Sequence, residues 1–335
     1  MIPVLDKNNQ PLMPCSNARA RRLLKSKRAI KRWFKGIFAI KLIDREGGAI
    51  QPVAVGVDPG SKREGFTVKS EAHTYLNVQS EAVTHVSDKI TTRREMRRAR
   101  RFRKTPCRQN RINRKRGGLP PSTKARWQAK LRILNFLAKL YPVSVAVVED
   151  VAAVTKKGKR KWNVNFSSLE VGKIWFYAEI EKRWRLVIKQ GHETHAERLR
   201  LGLTKSKNKL AETFSAHCVD SWALANMEVG GHEQPENTKL ILMTPLNAIR
   251  RQLHRLQPAK GGVRHGYGGT QINGFKKLSI VKHVKLGIVL IGGSGVQMNS
   301  FSLNSPETGK TISRSRRKVD VTFFAYNSFA LRAAR

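Results

Sequence analysis

The stretch VAVGVDPGS, residues 53–61, decides how the rest of the chain is read. Small and apolar side chains lead into Asp58, and Pro59-Gly60 then turns the chain toward a second short run, Gly65 to Val68. A carboxylate at the end of a buried strand, followed at once by a tight turn, is held rigidly at a sheet edge where a ligand can reach it. Such a design serves as a phosphate cradle, as a ligand for a catalytic divalent metal, or as nothing more than a strand-turn-strand. The motif by itself leaves all three open.

Working outward, residues 53 to about 86 predict three strands, Val53 to Val57, Gly65 to Val68 and Tyr75 to Gln79, in the order of an antiparallel meander. Composition then changes sharply at Thr91 to Arg116, TTRREMRRARRFRKTPCRQNRINRKR, where positions 93–116 hold thirteen Arg or Lys and one Glu. Arg and Met favour helix, and nothing breaks the run before Pro106. Like charges four residues apart oppose a helix unless phosphates lie between them. The helix is therefore expected to thread between nucleic-acid strands, with Arg93, Arg94, Arg97, Arg98, Arg101 and Arg103 on the backbone. The bland alternative is a solvated charged face.

Gly117-Gly118 and Pro120-Pro121 read as a linker, after which Ser122 or Thr123 caps a helix with Trp127, Leu131, Leu134, Ala138 and Tyr141 on one stripe. Val143 to Val148 is a buried strand ending in Glu149-Asp150, and Thr155 to Asn165 a basic loop. A helix with Phe176, Tyr177, Ile180 and Trp184 inward precedes a strand, Arg185 to Ile188. The last helix of this core, Asn208 to Ala225, packs through Leu210, Phe214, Trp222 and Ala225. It carries His217 and Asp220, three apart and so on one face.

Upstream, residues 1–52 form a small basic α+β module. Ile2 to Leu5 reads as a strand, PLMP at Pro11 to Pro14 as a stiff turn, and Ser16 as the N-cap of a helix over Asn17 to Arg28. Leu23 and Leu24 are its apolar contacts, Phe38 to Ile43 is a closing strand, and Arg19 and Arg22 are backbone-contact candidates. Twelve cations face three acids here. Downstream, residues 229–335 hold seventeen Lys or Arg and four acids. A helical start (Leu246 to Leu256), a Gly-rich KGGVRHGYGG (Lys260 to Gly269) and β-like runs at Ile280 to Val284 and Gly287 to Ile291 make a β-rich module.

The totals fit that organisation. A chain of 335 residues suggests two or three domains. Its 66 Lys plus Arg against 23 Asp plus Glu give +43, a self-repulsion that a polyanion relieves. Nucleic acid is the expected partner class, through counterion release from phosphates. Cys15, Cys107 and Cys218 are far apart, which supports neither a zinc site nor a disulfide framework. MIPVLDKNNQ lacks a signal peptide's basic and apolar regions. The longest uncharged apolar run, Leu140 to Val148, is about half the roughly 20 residues of a membrane span. A cytoplasmic protein with no membrane partner is expected.

Asp58 at one strand end, Glu149 at a later one and Asp220 on a terminal helix give the chain order Asp, Glu, Asp. Oxygen ligands suit Mg²⁺, and two such ions about 3.5–4 Å apart activate water and stabilise a leaving oxygen in phosphodiester hydrolysis. His217, one turn before Asp220, is a candidate general base. Singly, Glu149 also reads as a strand-end surface carboxylate, His217 as a satisfied core histidine and Asp220 as a salt-bridge partner. Their joint occurrence in a chain of +43 favours the nuclease.

VGVDPGS, VAVVEDV and HCVDSWALA resemble the three split segments of the RuvC nuclease, an RNase H fold. The Arg-rich Thr91 to Arg116 resembles the bridge helix of RNA-guided effectors, and VLDKNNQPLMPCSNARARRLL resembles the PLMP domain of the IscB and IsrB proteins. RRQLHRLQPAKGG at Arg250 to Gly262 recurs in that group. IscB proteins carry an HNH nuclease between the second and third segments, but only 67 residues separate Glu149 from His217 here. His192 and His195 form HxxH without the HNH pattern. The chain therefore resembles the IsrB family, the form without HNH.

That resemblance implies an α/β architecture with an RNase H-like RuvC core in three segments, an inserted bridge helix, a PLMP module and a β-rich C-terminal module. The expected boundaries are 1–52 (PLMP), 53–86 (first RuvC segment), 87–117 (bridge helix), 118–228 (second and third segments) and 229–335 (C-terminal module). It implies an RNA-guided nickase that cuts the displaced non-target DNA strand, with Asp58, Glu149, His217 and Asp220 holding two Mg²⁺ ions, or Mn²⁺ as substitute. Base pairing then reads sequence while the protein holds the heteroduplex and its C-terminal module reads a target-adjacent motif. The implied partners are one guide (omega) RNA per monomer and a double-stranded DNA target, in a bacterial cytoplasm and at its nucleoid. Two further readings remain: a RuvC-like structure-specific endonuclease acting without RNA, and a non-catalytic RNA- and DNA-binding scaffold. An actin-like ATPase leaves the Arg helix and the +43 unexplained.

Overall fold

The computed structural model describes residues 1–102, 119–153, 167–245, 271–295, 297, 299–306, 308–326 and 329–334. Arg103, Pro106, Cys107, the expected Thr155 to Asn165 loop, the expected Leu246 to Leu256 helix and the Gly-rich stretch after it lie outside the described residues. The chain divides into two compact units, one of residues 1–30, 40–242 and 333–335, the other of 31–39 and 243–332.

The chain opens with β1 (Ile2–Leu5), β2 (Pro11–Cys15), helix α1 (Asn17–Lys25), β3 (Ala29–Phe34) and β4 (Ile37–Leu42), in sheet order β2-β1-β4-β3. PLMP is thus strand and not the expected turn. β2 is an edge strand, where a missing proline N–H costs no ladder bond. Ser16 caps α1 as expected, accepting from the Arg19 N–H. The helix ends at Lys25 and not Arg28, because Lys27 turns into the left-handed region at φ 56°. Its buried side chain is Ala20, with Leu23 and Leu24 only half-buried. β3 escaped the sequence reading: four of its six residues are exposed and show no alternation.

The core of this unit is a mixed sheet. β5 (Val53–Asp58), β6 (Arg63–Ser70) and β7 (Thr74–Glu81) form the expected antiparallel meander. After helices α2 (His85–Phe102) and α3 (Pro121–Leu137), β8 (Val145–Asp150) joins β5 in parallel. Helix α4 (Ser168–Glu181) then leads to β9 (Arg185–Gln190), parallel to β8. Helices α5 (Gly191–Arg200) and α6 (Phe214–Val229) follow, and β10 (Leu240–Pro245) lies beside β7. The order β7-β6-β5-β8-β9, a meander followed by two parallel crossovers, is the arrangement expected of an RNase H-like core.

Several helix ends differ from expectation for local reasons. α2 starts at His85, eight residues before the first arginine of its run, and Asp88 in its first turn suits the helix dipole. α3 starts with Pro121 at its first position, where a missing N–H is harmless, so Pro120 and neither Ser122 nor Thr123 is the cap. It buries Trp127, Ala129, Lys130, Ile133, Leu134, Phe136 and Leu137, a wider face than the predicted stripe, and Leu131 is only half-buried. Phe176 and Ile180 of α4 are buried, whereas Tyr177 and Trp184 are half-buried. α6 starts at Phe214, not Asn208. The Asn208 side chain accepts from the Leu210 N–H in a turn, Thr213 is extended, and Leu210 is left exposed.

Beyond Pro245, the described residues of the second unit form β-strands and one short 3-10 turn, Lys318–Asp320. β11 (Gln271–Ile272) pairs with β12 (Phe275–Lys276). β13 (Ser279–His283), β14 (Gly287–Ser294), β15 (Ser300–Asn304), β16 (Thr311–Arg317) and β17 (Val321–Tyr326) make an antiparallel sheet in the order β16-β15-β14-β13-β17. Val281, Val289, Ile291, Phe301, Leu303 and Val321 form its core. Both β runs anticipated here are strands, β13 and β14. No helix among the described residues is long and apolar enough to cross a membrane.

Candidate active site

Register brings the first two carboxylates together. β5 and β8 are parallel with Val57 opposite Val148, so the next pair along is Asp58 and Glu149. Alternate residues of a strand share a face. Ala54, Gly56 and Asp58 therefore point the same way as Val145, Val147 and Glu149. Ala54, Val145 and Val147 pack against Leu224 and Ala225 of α6, which covers this face.

Two glycines let α6 come close enough to deliver the third carboxylate. A Cβ at Gly56 would stand 1.8 Å from the Ser221 carbonyl oxygen, and one at Gly65 would stand 2.1 Å from that of His217. No larger residue fits without moving the helix. The Thr67 hydroxyl lies 2.9 Å from that of Ser221, and Trp222 Nε1 donates to Thr74 Oγ1 at 2.9 Å. Asp220 is thereby carried over the ends of β5 and β8. Asp58, Glu149 and Asp220 each present a carboxylate oxygen, and these oxygens lie within 4.8 Å of one another. No other group of three such ligand residues occurs among the described residues.

The neighbouring Asp150 points to the opposite face and is fully engaged there. It pairs with Lys173 at 2.7 Å and accepts from the Tyr177 hydroxyl at 3.0 Å and Gln190 Nε2 at 3.2 Å. Burial raises its pKa, but these bonds outweigh burial and hold the carboxyl below its ordinary value. Strand alternation thus separates a structural acid, Asp150, from a candidate ligand, Glu149.

Three acids in one place repel. Burial, and then the charge of Asp220, push Asp58 well above the usual carboxylate range, with Lys205 pulling the other way. Burial and Asp220 likewise raise Glu149. Two cations that the sequence reading missed answer them. Arg198 Nε of α5 lies 2.6 Å from Asp220 Oδ1, and Lys205 Nζ contacts Asp220 Oδ2. Neither belongs to a recognisable motif, since one sits on a charged helix and the other in an irregular loop. Two positive charges against three negative ones leave an unbalanced, all-oxygen donor set of the kind that suits a hard divalent cation. Asp220 Oδ1 is buried and accepts no aligned hydrogen bond, despite its ion pair. The residues present fit such an ion.

His217 stands apart from the carboxylate group. Its ring Nε2 lies 2.9 Å from the Lys209 carbonyl, and burial lowers its pKa. Arg93, Arg94, Arg97, Arg98 and Arg101 are exposed on α2, as are Arg19 and Arg22 on α1, and Arg103 lies outside the described residues. His192 and His195 are exposed in α5, whose first turn is closed by Glu193 accepting from the Gln190 N–H.

The sequence model of the RRXRR protein family, a family of IscB/RuvC-like nucleases, matches residues 2–163. No curated protein matches the chain. Among solved structures, RuvC of T. thermophilus in complex with a Holliday junction substrate is similar at 12% identity over 54% of this chain and 98% of that one, with a TM-score of 0.29. The yeast mitochondrial Holliday junction resolvase Ydc2 is similar at 14% identity over 53% of this chain and 78% of that one, with a TM-score of 0.27. Over residues 2–163 the chain is similar to the RRXRR proteins, and two Holliday junction resolvases are among the structural neighbours of its mixed α/β fold.

Proposed function

We propose that this chain is an RNA-guided DNA nickase of the IsrB kind, cutting the displaced strand at Asp58, Glu149 and Asp220. The observation that carries this reading is the convergence of those three carboxylates at the ends of β5 and β8 under α6. Mg²⁺ ions bound there would supply an activated water and neutralise charge on the scissile phosphate. The chain's own residues do the rest. Asp58 and Glu149, fixed by strand register, and Asp220, fixed by the Gly56 and Gly65 approach, orient the donor oxygens before any ligand arrives. His217 takes the proton of the attacking water. Its lowered pKa keeps the ring neutral near pH 7, and an Nε2–H given to the Lys209 carbonyl leaves Nδ1 as the basic nitrogen.

The guide is inferred from α2. This helix interrupts the fold between β7 and α3, and its residues from Arg93 to Phe102 whose burial is described are all exposed. Arg93, Arg94, Arg97, Arg98 and Arg101 then contact guide phosphates, with Arg103 continuing the run and Arg19 and Arg22 adding contacts from the PLMP module. The C-terminal module, residues 229–335, reads the motif beside the target, and one protein binds one guide RNA in the bacterial cytoplasm.

The test is to purify the protein with its neighbouring non-coding transcript and incubate it with Mg²⁺ and a supercoiled plasmid library. Nicked circles that require both the RNA and Asp58 support the proposal. Cleavage without RNA leaves a structure-specific nuclease, and tight binding with no Asp58-dependent nicking leaves a scaffold.

A further inference from the structure

Both oxygens of Asp220 are already taken by cations of the chain itself, Oδ1 by Arg198 and Oδ2 by Lys205. A divalent ion held by Asp58, Glu149 and Asp220 would share Asp220 with at least one of them. An ammonium and a metal ion on the same carboxylate stand within a few ångströms and repel strongly in a site with little water. One cation must give way.

The surroundings decide which. Arg198 is anchored in α5, and its side chain is 14% exposed. Lys205 sits in the irregular loop between α5 and α6, its side chain is 35% exposed, and its flexible four-carbon stem ends in a point charge. Its ammonium also acts on Asp58 and Glu149, so it serves all three acids at once.

We propose that Lys205 is the resident cation of the ion-free site and exchanges with the divalent metal, leaving Asp220 when the metal enters. This rests on the metal-site reading above. Lys205 thereby sets the threshold for metal loading. It keeps three clustered carboxylates soluble in one another's company while the metal is away, at the cost of weaker metal affinity.

The experiment is isothermal titration of the full chain with Mn²⁺, with thermal melts of the ion-free protein as a second readout. Lys205→Met is expected to bind Mn²⁺ at least about tenfold more tightly than the parent. Its ion-free form is expected to melt lower, and saturating Mn²⁺ to restore the melt. Lys205→Arg, which keeps the charge, should stay near the parent in affinity. Asp58→Asn marks which binding belongs to the triad. Asp58-dependent binding that is equally tight, or weaker, in Lys205→Met overturns the exchange and leaves the metal site standing. Absence of Asp58-dependent binding in parent and variants alike overturns the metal site, and the exchange falls with it.

Discussion

The sheet of the first unit buries acids on both of its faces, and they are handled in opposite ways. Toward α3, Glu64 of β6 meets Lys130 at 2.6 Å, with both side chains almost fully buried. Burial raises the Glu64 pKa, and Lys130, with a smaller contribution from Arg126, counters it. Toward α6, Asp58, Glu149 and Asp220 crowd together and two cations answer three anions. The first arrangement is closed: each charge has its partner, and nothing is left to bind. The second is held short of neutrality by the same strands, and an incoming cation would complete it. A buried acid belongs to stability when its charge is matched within the fold, and to function when the fold leaves the match unfinished.

The strongest break of that contrast is Asp58→Asn. Loss of nicking on the order of 10⁴-fold is expected, as for removal of one member of a catalytic constellation. The same change relieves repulsion, so the ion-free protein should melt about 2–4 °C higher, the shift that 1 kcal/mol gives a chain of this class. A plasmid-nicking assay and a thermal melt on one preparation read both. Lower activity with a lower melt would put Asp58 among the structural acids.

Lys130→Met is the mirror experiment. It strands Glu64 as an unpaired buried charge and should cost about 3–5 kcal/mol in urea unfolding. Adding Glu64→Leu should recover most of that loss, because an apolar pair of similar volume is often as stable as a buried ion pair. Failure of the double variant to recover would show that the pair positions α3 by geometry as well as by charge.

Much of the functional face was legible beforehand because strand periodicity is short. VAVGVD and VAVVED are short apolar runs that close on acids, so Asp58 and Glu149 could be placed at strand ends from the residues alone. Asp220 was legible only with the His217 spacing and the resemblance behind it. What stayed hidden is what depends on contacts far apart in sequence. Lys130 reads as a surface charge on a helix, yet it lies 66 positions from Glu64 and is buried against it. Lys205 and Arg198 read as part of a basic background, and their role exists only once α6 is docked. Gly56 and Gly65 look like ordinary strand glycines until the helix above them is known. Leu210 misled for the opposite reason: an apolar residue at the right helical spacing is exposed because the Asn208 turn ends the pattern before the helix begins.

Gly56→Ala tests the link between packing and site. The added methyl would fall on the Ser221 carbonyl, so α6 must move or tilt. A cost of about 1–3 kcal/mol in unfolding is expected. Mn²⁺ affinity should fall as well, since Asp220 rides on the same helix. Gly293→Ala offers a control in the second unit, where the added Cβ would meet Ser302 Oγ only at 3.5 Å. Unchanged metal binding in Gly56→Ala would mean that Asp220 is not placed by that close approach.

The smallest effect expected is in the pH dependence of stability, and its sign separates the two faces. Unfolded Asp and Glu titrate near 3.9 and 4.3, whereas burial and Asp220 raise Asp58 and Glu149 in the fold. Between the unfolded and folded values the native chain therefore holds more protons than the unfolded one. Stability contributed by these two groups is greatest below that window and declines as pH rises through it. Asp150, held below its ordinary value by Lys173, Gln190 and Tyr177, runs the other way and loses its contribution as pH falls. Mg²⁺ favours the ionised carboxylates, so it should flatten the decline and release protons on binding. Urea unfolding from pH 4 to 8, with and without Mg²⁺, measures this. In Asp58→Asn the Mg²⁺-dependent part should shrink while the Asp150 limb stays, and an equal Mg²⁺ effect in both proteins would place the ion elsewhere.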